Sequence, residues 1–245
     1  MSNQYLLLWF EAPLQAWGHD SKFGRRDTLS FPTRSGVLGL VLSAMGAGGE
    51  QRALLGEFDT LGQTAISYRR SKQTSDGVGN SEHEPQLRLR DFQMVGSGYD
   101  DQDPWASLLI PKTSEGKKAV GGGAKMTYRY YLQDAAFAVV FEVHAEKAET
   151  IAKAIQNPAW DMYLGRKSCV PTDFIYRGIF NTEIAAIEQA VLIASRKNRI
   201  EDFRILHGAR AMGEADEVFT INDVPVQFGE VKKYRDRQVS LVYAR

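Results

Sequence analysis

Two uninterrupted apolar runs, residues 5–10 and residues 137–141, constrain the fold more than any other feature of the chain. Neither alternates polar with apolar side chains, so each predicts a strand buried on both faces of a sheet, the second extending to Val143. Both fall far short of the roughly 20 residues that cross a bilayer, and no membrane span is expected. With 245 residues and 43% apolar content, the chain suits one large domain or a domain with a sizeable extension. The start, Met1, Ser2, Asn3 and Gln4, offers neither a basic segment nor a cleavage site, so no secretory signal is expected. Cys169 is the single cysteine, which fits a reducing cytoplasm.

A basic loop, residues 13–32, follows the first strand. Thr33 and Ser35 then offer caps for a buried helix carrying Val37, Leu38, Leu40, Val41, Leu42 and Met45, closed by Gly46, Gly48 and Gly49. Residues 63–68 hold enough β-formers for a second strand. From 69 to 125 Gly, Ser, Asp and Lys dominate, interrupted by a strand-like stretch at 87–95. This predicts an insertion over residues 71–127, a long hairpin arm with its returning strand at 126–132 and its tip around 116–123. After the second apolar run, Ala148, Ile151, Ala152 and Ile155 fall at helical spacing, Glu149 stands four residues before Lys153, and Pro158 is a stop. Residues 174–180 supply another strand.

Without the arm the order is strand, helix, strand, strand, helix, strand. That is an α+β, ferredoxin-like (RRM-like) βαββαβ core over residues 1–180. A helical pattern at 183–194 and strand candidates at 203–207, 217–221 and 238–243 predict a β-rich C-terminal extension, residues 181–245.

Thirty basic and thirty acidic side chains cancel, against the basic excess usual in nucleic-acid binders. The charges are segregated, however. Lys22, Arg25, Arg26 and Arg34 face only Asp27 in their stretch, and Lys112, Lys117, Lys118, Lys125 and Arg129 face only Glu115. The compensating acids sit at Asp100, Asp101 and Asp103 and at Glu214, Asp216 and Glu217. Such a distribution suits a protein that meets phosphates on one face and protein partners on another; the plain alternative is a set of solvated loops.

Three segments are not explained by propensity. In Ala12, Pro13, Leu14, Gln15, Ala16, Trp17, Gly18, a Trp beside Gly in a loop can offer a flat face to a base, or can simply roof the core. In Phe31, Pro32, Thr33, Arg34, Ser35, Gly36, a helix start with two hydroxyls and an Arg suits a phosphate, or is an ordinary capped start. In Tyr163, Leu164, Gly165, Arg166, Lys167, Ser168, Cys169, a Gly-containing basic loop can clamp a nucleic-acid backbone, with Cys169 a packing residue rather than a nucleophile.

These three segments, with Leu89, Arg90, Asp91, Phe92 and with Tyr131, Leu132, Gln133, Asp134, Ala135, Ala136, Phe137 in order between them, resemble the CasD family. The likeness runs from the first strand to about Pro171; beyond it only Asp223, Pro225, Phe228, Tyr234 and Arg237 resemble the family. The resemblance implies a ferredoxin-like core with a protruding thumb, bound to the 5′ handle of a CRISPR RNA in a type I-E Cascade. It implies a seat between the large subunit and the first backbone subunit, with target DNA met only through the complex. No cofactor and no metal are expected. The RNA-binding residues expected on this reading are Gln15, Trp17, Arg25, Arg26, Thr33, Arg34, Ser35, Lys125, Arg129, Tyr163, Arg166 and Lys167.

The rival is a metal-independent endoribonuclease that processes precursor CRISPR RNA, as in a related subfamily. Such cleavage needs a base for the 2′-hydroxyl and an acid for the leaving oxygen within reach of each other. His19, His83, His144 and His207 are scattered, and only His19, in the basic loop, is a candidate. No His or Cys pair has metal-ligand spacing, and at 116–123 the lysines precede the glycines, unlike a P-loop. The expectation is therefore a scaffold without catalysis.

Overall fold

In the computed structural model, residues 2–19, 21, 24–71, 86–95, 105, 108, 112–118, 124–207 and 215–244 are described. In chain order the elements are β1 (Asn3–Glu11), the two-residue β2 (Leu14–Gln15) and β3 (Arg25–Arg26), α1 (Arg34–Ala44) and α2 (Arg52–Glu57). Then come β4 (Gln63–Arg70), β5 (Arg88–Val95), β6 (Lys125–Gln133), β7 (Ala136–His144), α3 (Ala145–Gln156) and β8 (Tyr176–Phe180). The last are α4 (Glu183–Arg196), β9 (Arg199–His207), β10 (Glu217–Gln227) and β11 (Lys233–Tyr243).

The two apolar runs lie side by side in the middle of a seven-stranded sheet of order β10-β11-β9-β4-β7-β1-β8. β1 and β7 pair antiparallel from Asn3↔His144 to Glu11↔Ala136. Successive side chains of a strand point to opposite faces. Leu6, Leu8 and Phe10 accordingly join the core under α1 and α3, whereas Leu7 and Trp9 join a second core under α4. Both faces are covered, which is why the run could be apolar throughout. Truncating one of these side chains, for example Leu8→Ala, costs about 2–5 kcal/mol because a cavity remains in a close-packed interior.

The helices follow from caps and periodicity. Thr33 caps α1 by accepting the N–H of Gly36 at 3.1 Å, and Gly46 at φ +68° turns the chain out of it. α3 buries Ala148, Ile151, Ala152 and Ile155 and stops before Pro158, with Glu146 in its first turn and Lys153 in its last. α4, capped by Thr182, lays Ala186, Ala190, Ile193 and Ala194 on the opposite face. Among the described residues no helix is long and apolar enough to cross a membrane.

β6 is the spine of a second, four-stranded sheet: β2 pairs with its end, β3 lies parallel to its middle, and β5 runs antiparallel from Arg88↔Leu132 to Val95↔Lys125. β5 and β6 are the described part of the expected arm. Residues 72–85, 96–104, 106, 107, 109–111 and 119–123, with most of the expected tip, lie outside the described residues, as do Lys22, Glu214 and His83. Beyond β8, strands β9, β11 and β10 continue the main sheet outward from β4. They run longer than the stretches expected from sequence, and the short α2 was not expected at all.

Candidate nucleic-acid interface

Residues 16–18, then Thr33, Ser35 and Gly36, then Tyr163, Gly165 and Lys167, remote in sequence, line one cleft of about 450 Å³ at the start of α1. The third segment is seated by Gly165, whose φ of +102° only glycine adopts readily, and by the Ala16 N–H, which donates to Leu164 O at 3.1 Å. A Cβ at Gly165 would stand 1.7 Å from the carbonyl oxygen of Ala16, so the loop and the chain after β2 touch backbone to backbone. Tyr163 and Lys167 line the cleft from one loop, and Phe228, Lys232 and Tyr234 line it from the β10–β11 hairpin. A wider recess of about 880 Å³ adjoins it, bounded by Gly18, His19, Arg26, Ser35, Asn222 and Lys232. Lys232, Tyr234, Ser35 and Gly18 belong to both, so cleft and recess are continuous and share the ammonium of Lys232.

Several residues expected to meet RNA are engaged inside the protein instead. Trp17 is 1% exposed. Its ring stacks on Phe10 at 5.4 Å between centroids and packs closely against Gly36, and its Nε1–H donates to Gln15. A ring so buried offers no surface to a base, and Trp17 roofs the core. Gln15, fully buried, donates to the carbonyls of Phe10 and Ala135 at 3.2 and 2.7 Å and ties β1 to the β6–β7 turn. The Thr33 hydroxyl is occupied as the cap of α1.

Arg34 is the largest correction. Its guanidinium is fully buried and donates to the carbonyls of Phe58 and Leu61, which close the loop after α2. Burial, together with neighbouring Arg237, pushes its pKa down to about 10. Its backbone N–H, one of those expected to greet a phosphate, donates to the carboxylate of Asp223 at 2.7 Å. Asp223 is itself gripped bidentately by Arg237 at 2.6 and 2.9 Å. An acidic side chain of β10 thus already occupies an anion position at the start of α1.

Arg166 is a strut rather than a free fork: it donates to Tyr130 O at 3.1 Å and Arg26 O at 2.9 Å while lying over the Tyr131 ring. Arg25 pairs with Asp27 and covers the Tyr130 ring. Lys125 and Arg129 stand on the β5–β6 ribbon and do not line the cleft. Ser35, Tyr163, Lys167 and Arg26 do face the cleft or its recess. Burial pushes the Cys169 thiol up, as suits a packing residue in the core.

Residues 5–240 match the CRISPR-associated protein family Cas_Cas5. The chain belongs to the Cas5 family. It is 29% identical over 179 residues to the CRISPR system Cascade subunit CasD of Escherichia coli strain K12, covering 72% of this chain and 71% of that one. A chain of a solved CRISPR RNA-guided surveillance complex superimposes with a TM-score of 0.67 at 26% identity, over 98% of this chain and 90% of its own. A crystal structure of a Cas protein, at 23% identity and a TM-score of 0.57 over 98% and 94% of the two chains, shares the fold. In this Cas5 chain the cleft residues least visible in sequence are Asp161, Met162 and Lys232. Phe228 entered through the resemblance, whereas Tyr234 also stands in a basic run, Lys232, Lys233, Tyr234, Arg235, Asp236, Arg237, that could have drawn attention to it.

Proposed function

We propose that this Cas5 chain is a non-catalytic RNA-binding subunit of a type I-E Cascade, holding the 5′ handle of the CRISPR RNA in the cleft at the start of α1 and capping the backbone filament. One observation carries the reading: the cleft and its recess gather Arg26, Lys167 and Lys232 with Tyr163, Tyr234 and Phe228 around an α1 start that offers only small side chains. Positive charge that tracks a backbone, with rings beside it for bases, is the usual construction of a single-strand site. Lys167, not Arg34, is then the first phosphate contact.

The same reading takes β1, α1, β4, β7, α3 and β8 as a ferredoxin-like core, because the four strands stand in the order β4-β7-β1-β8 with a helix in each crossover. β5 and β6 form the base of the thumb. The Cascade large subunit and the first backbone subunit are its protein partners, and a cytoplasmic setting follows from that assembly.

The test is to titrate the purified chain with handle RNA at several ionic strengths, then to incubate it with precursor repeat RNA in chelator. Binding that weakens with salt and leaves the precursor intact supports the reading. Indifference to RNA at every ionic strength overturns it, and specific scission lost in His19→Ala establishes the ribonuclease instead.

A further inference from the structure

The cleft contains one group that a phosphate groove does not need, the carboxylate of Asp161 on the wall beside Tyr163. A carboxylate repels phosphate, so the RNA backbone is held at Lys167 and Lys232 rather than at Asp161, and whatever faces Asp161 must donate hydrogen bonds to it. The Asp161 carboxylate at present accepts from the Tyr163 hydroxyl at 3.3 Å, a long bond on the exposed wall that an incoming donor can replace.

The floor of the same cleft is open at Gly39. A methyl group placed on Gly39 would meet nothing nearer than Phe228 Cζ, at 4.0 Å, whereas the space over Gly36 is already filled by the Trp17 ring. Phe228 and Tyr163 stand on the walls, and the volume of about 450 Å³ is that of a small-ligand site.

We infer that this end of the cleft is a base pocket that receives one unstacked guanine of the bound RNA, its N1–H and N2–H donating to Asp161. Guanine is the base with two adjacent donors on its Watson–Crick edge. Uracil sets a carbonyl on each side of its single N–H, and adenine and cytosine each set an acceptor nitrogen beside their amino group. Sequence-specific recognition of single-stranded RNA uses this combination of ring contact and edge readout. The inference rests on the RNA-binding reading of the cleft and adds to it a preference at one position.

The experiment uses the full chain and three fluorescein-labelled RNAs of about eight nucleotides, within the span of a single-strand site. One is all uridine, one carries a single central guanosine, and one carries inosine there, which lacks the N2 amino group. The guanosine probe should bind about tenfold more tightly than the uridine probe, the range of a good bidentate pair, with inosine between them. Asp161→Asn, at an exposed position, should erase the difference, and Gly39→Ala, which fills the floor without a clash, should narrow it. Equal binding of the three probes by the wild-type chain overturns the pocket alone, as does an undiminished preference in Asp161→Asn. Failure to bind any of them at low or high salt overturns the RNA cleft and the pocket together.

Discussion

The carboxylate of Asp223 on β10 accepts the backbone N–H of Arg34 at 2.7 Å, across 189 residues of sequence. This bond fastens the β10–β11 hairpin, which carries Phe228, Lys232 and Tyr234, to the helix that floors the cleft. Arg237 completes the arrangement from β11 by gripping the same carboxylate, with both side chains almost wholly buried. Removing one partner of a buried pair leaves the other charge without compensation. Asp223→Ala should therefore cost about 3–5 kcal/mol in urea unfolding, and Asp223→Ala with Arg237→Met should cost less than the sum of the two changes. A single variant within about 0.5 kcal/mol of wild type, the scatter of ordinary surface changes, would remove Asp223 from this role.

Gly165 and Gly49 make a matched pair of predictions. Both have positive φ, +102° and +83°, but a Cβ on Gly165 meets Ala16 O at 1.7 Å and one on Gly49 meets nothing within 4 Å. Gly49→Ala should lose only the backbone preference, about 1–2 kcal/mol. Gly165→Ala must also push its loop off residue 16, carrying Tyr163 and Lys167 away from the cleft. Its melting temperature should fall well below that of Gly49→Ala, and RNA affinity should fall in Gly165→Ala alone. Equal behaviour of the two variants would show that the seating of the loop is not what shapes the cleft.

The parts of the fold that were legible in sequence are those where burial is total or periodic. The run at residues 5–10 had to be a strand with two covered faces, and Ala148, Ile151, Ala152 and Ile155 had to mark the inner face of a helix. α2 escaped because it is six residues long, has no side-chain cap and buries only Leu55. β10 and β11 were underestimated because their starts or ends alternate with polar residues and β10 is bulged near Asn222 and Pro225. At the site, the structure brings together the loops that the sequence reading singled out, but it engages several of their side chains inside the protein. An Arg at a helix start looks the same whether it faces solvent or the interior, and what turned Arg34 inward was a carbonyl pair at 58 and 61 with an acid at 223. The exposed Lys232 opens a basic run, with Lys233, Arg235 and Arg237, that the sequence reading did not single out.

Acid should loosen the protein through one ion-pair network. Lys197 bridges Glu11 at 2.8 Å and Asp173 at 2.6 Å, and Arg199 joins Glu11 at 2.9 Å to Asp134 at 3.2 Å. Burial by itself would push Glu11 and Asp173 up, but Lys197 and the neighbouring donors hold both below the ordinary carboxylate values of 4.5 and 3.8. A carboxylate depressed by folding stabilises fully above its unfolded value and loses that contribution as pH falls through the folded one. Lys197 is displaced the other way: burial would lower it, yet Asp173 and Glu11 raise it above 10.5, so its contribution is complete below that value and is lost only at higher pH. Urea midpoints should hold steady near neutrality and drop from about pH 4.5 downward, and Lys197→Met should flatten that drop. An acid limb of the same steepness in the variant would mean that other carboxylates carry it.

Salt dependence separates phosphate contacts from internal struts. Lys167 and Lys232 line the cleft from opposite elements, whereas Arg34 is sealed inside and Arg166 is committed to Tyr130 O and Arg26 O. Each lysine that neutralises a phosphate releases a counterion when RNA binds, which contributes about 0.7 to the slope of log affinity against log salt for a single strand. Lys167→Ala and Lys232→Ala should each lower the slope by about 0.7 and the double variant by about 1.4, with thermal unfolding unchanged. Arg34→Met should behave in reverse, unfolding more easily while the slope of the folded fraction stays at the wild-type value. If the slope instead falls with Arg34 and is indifferent to the two lysines, the phosphates lie elsewhere and α1 must open to admit them.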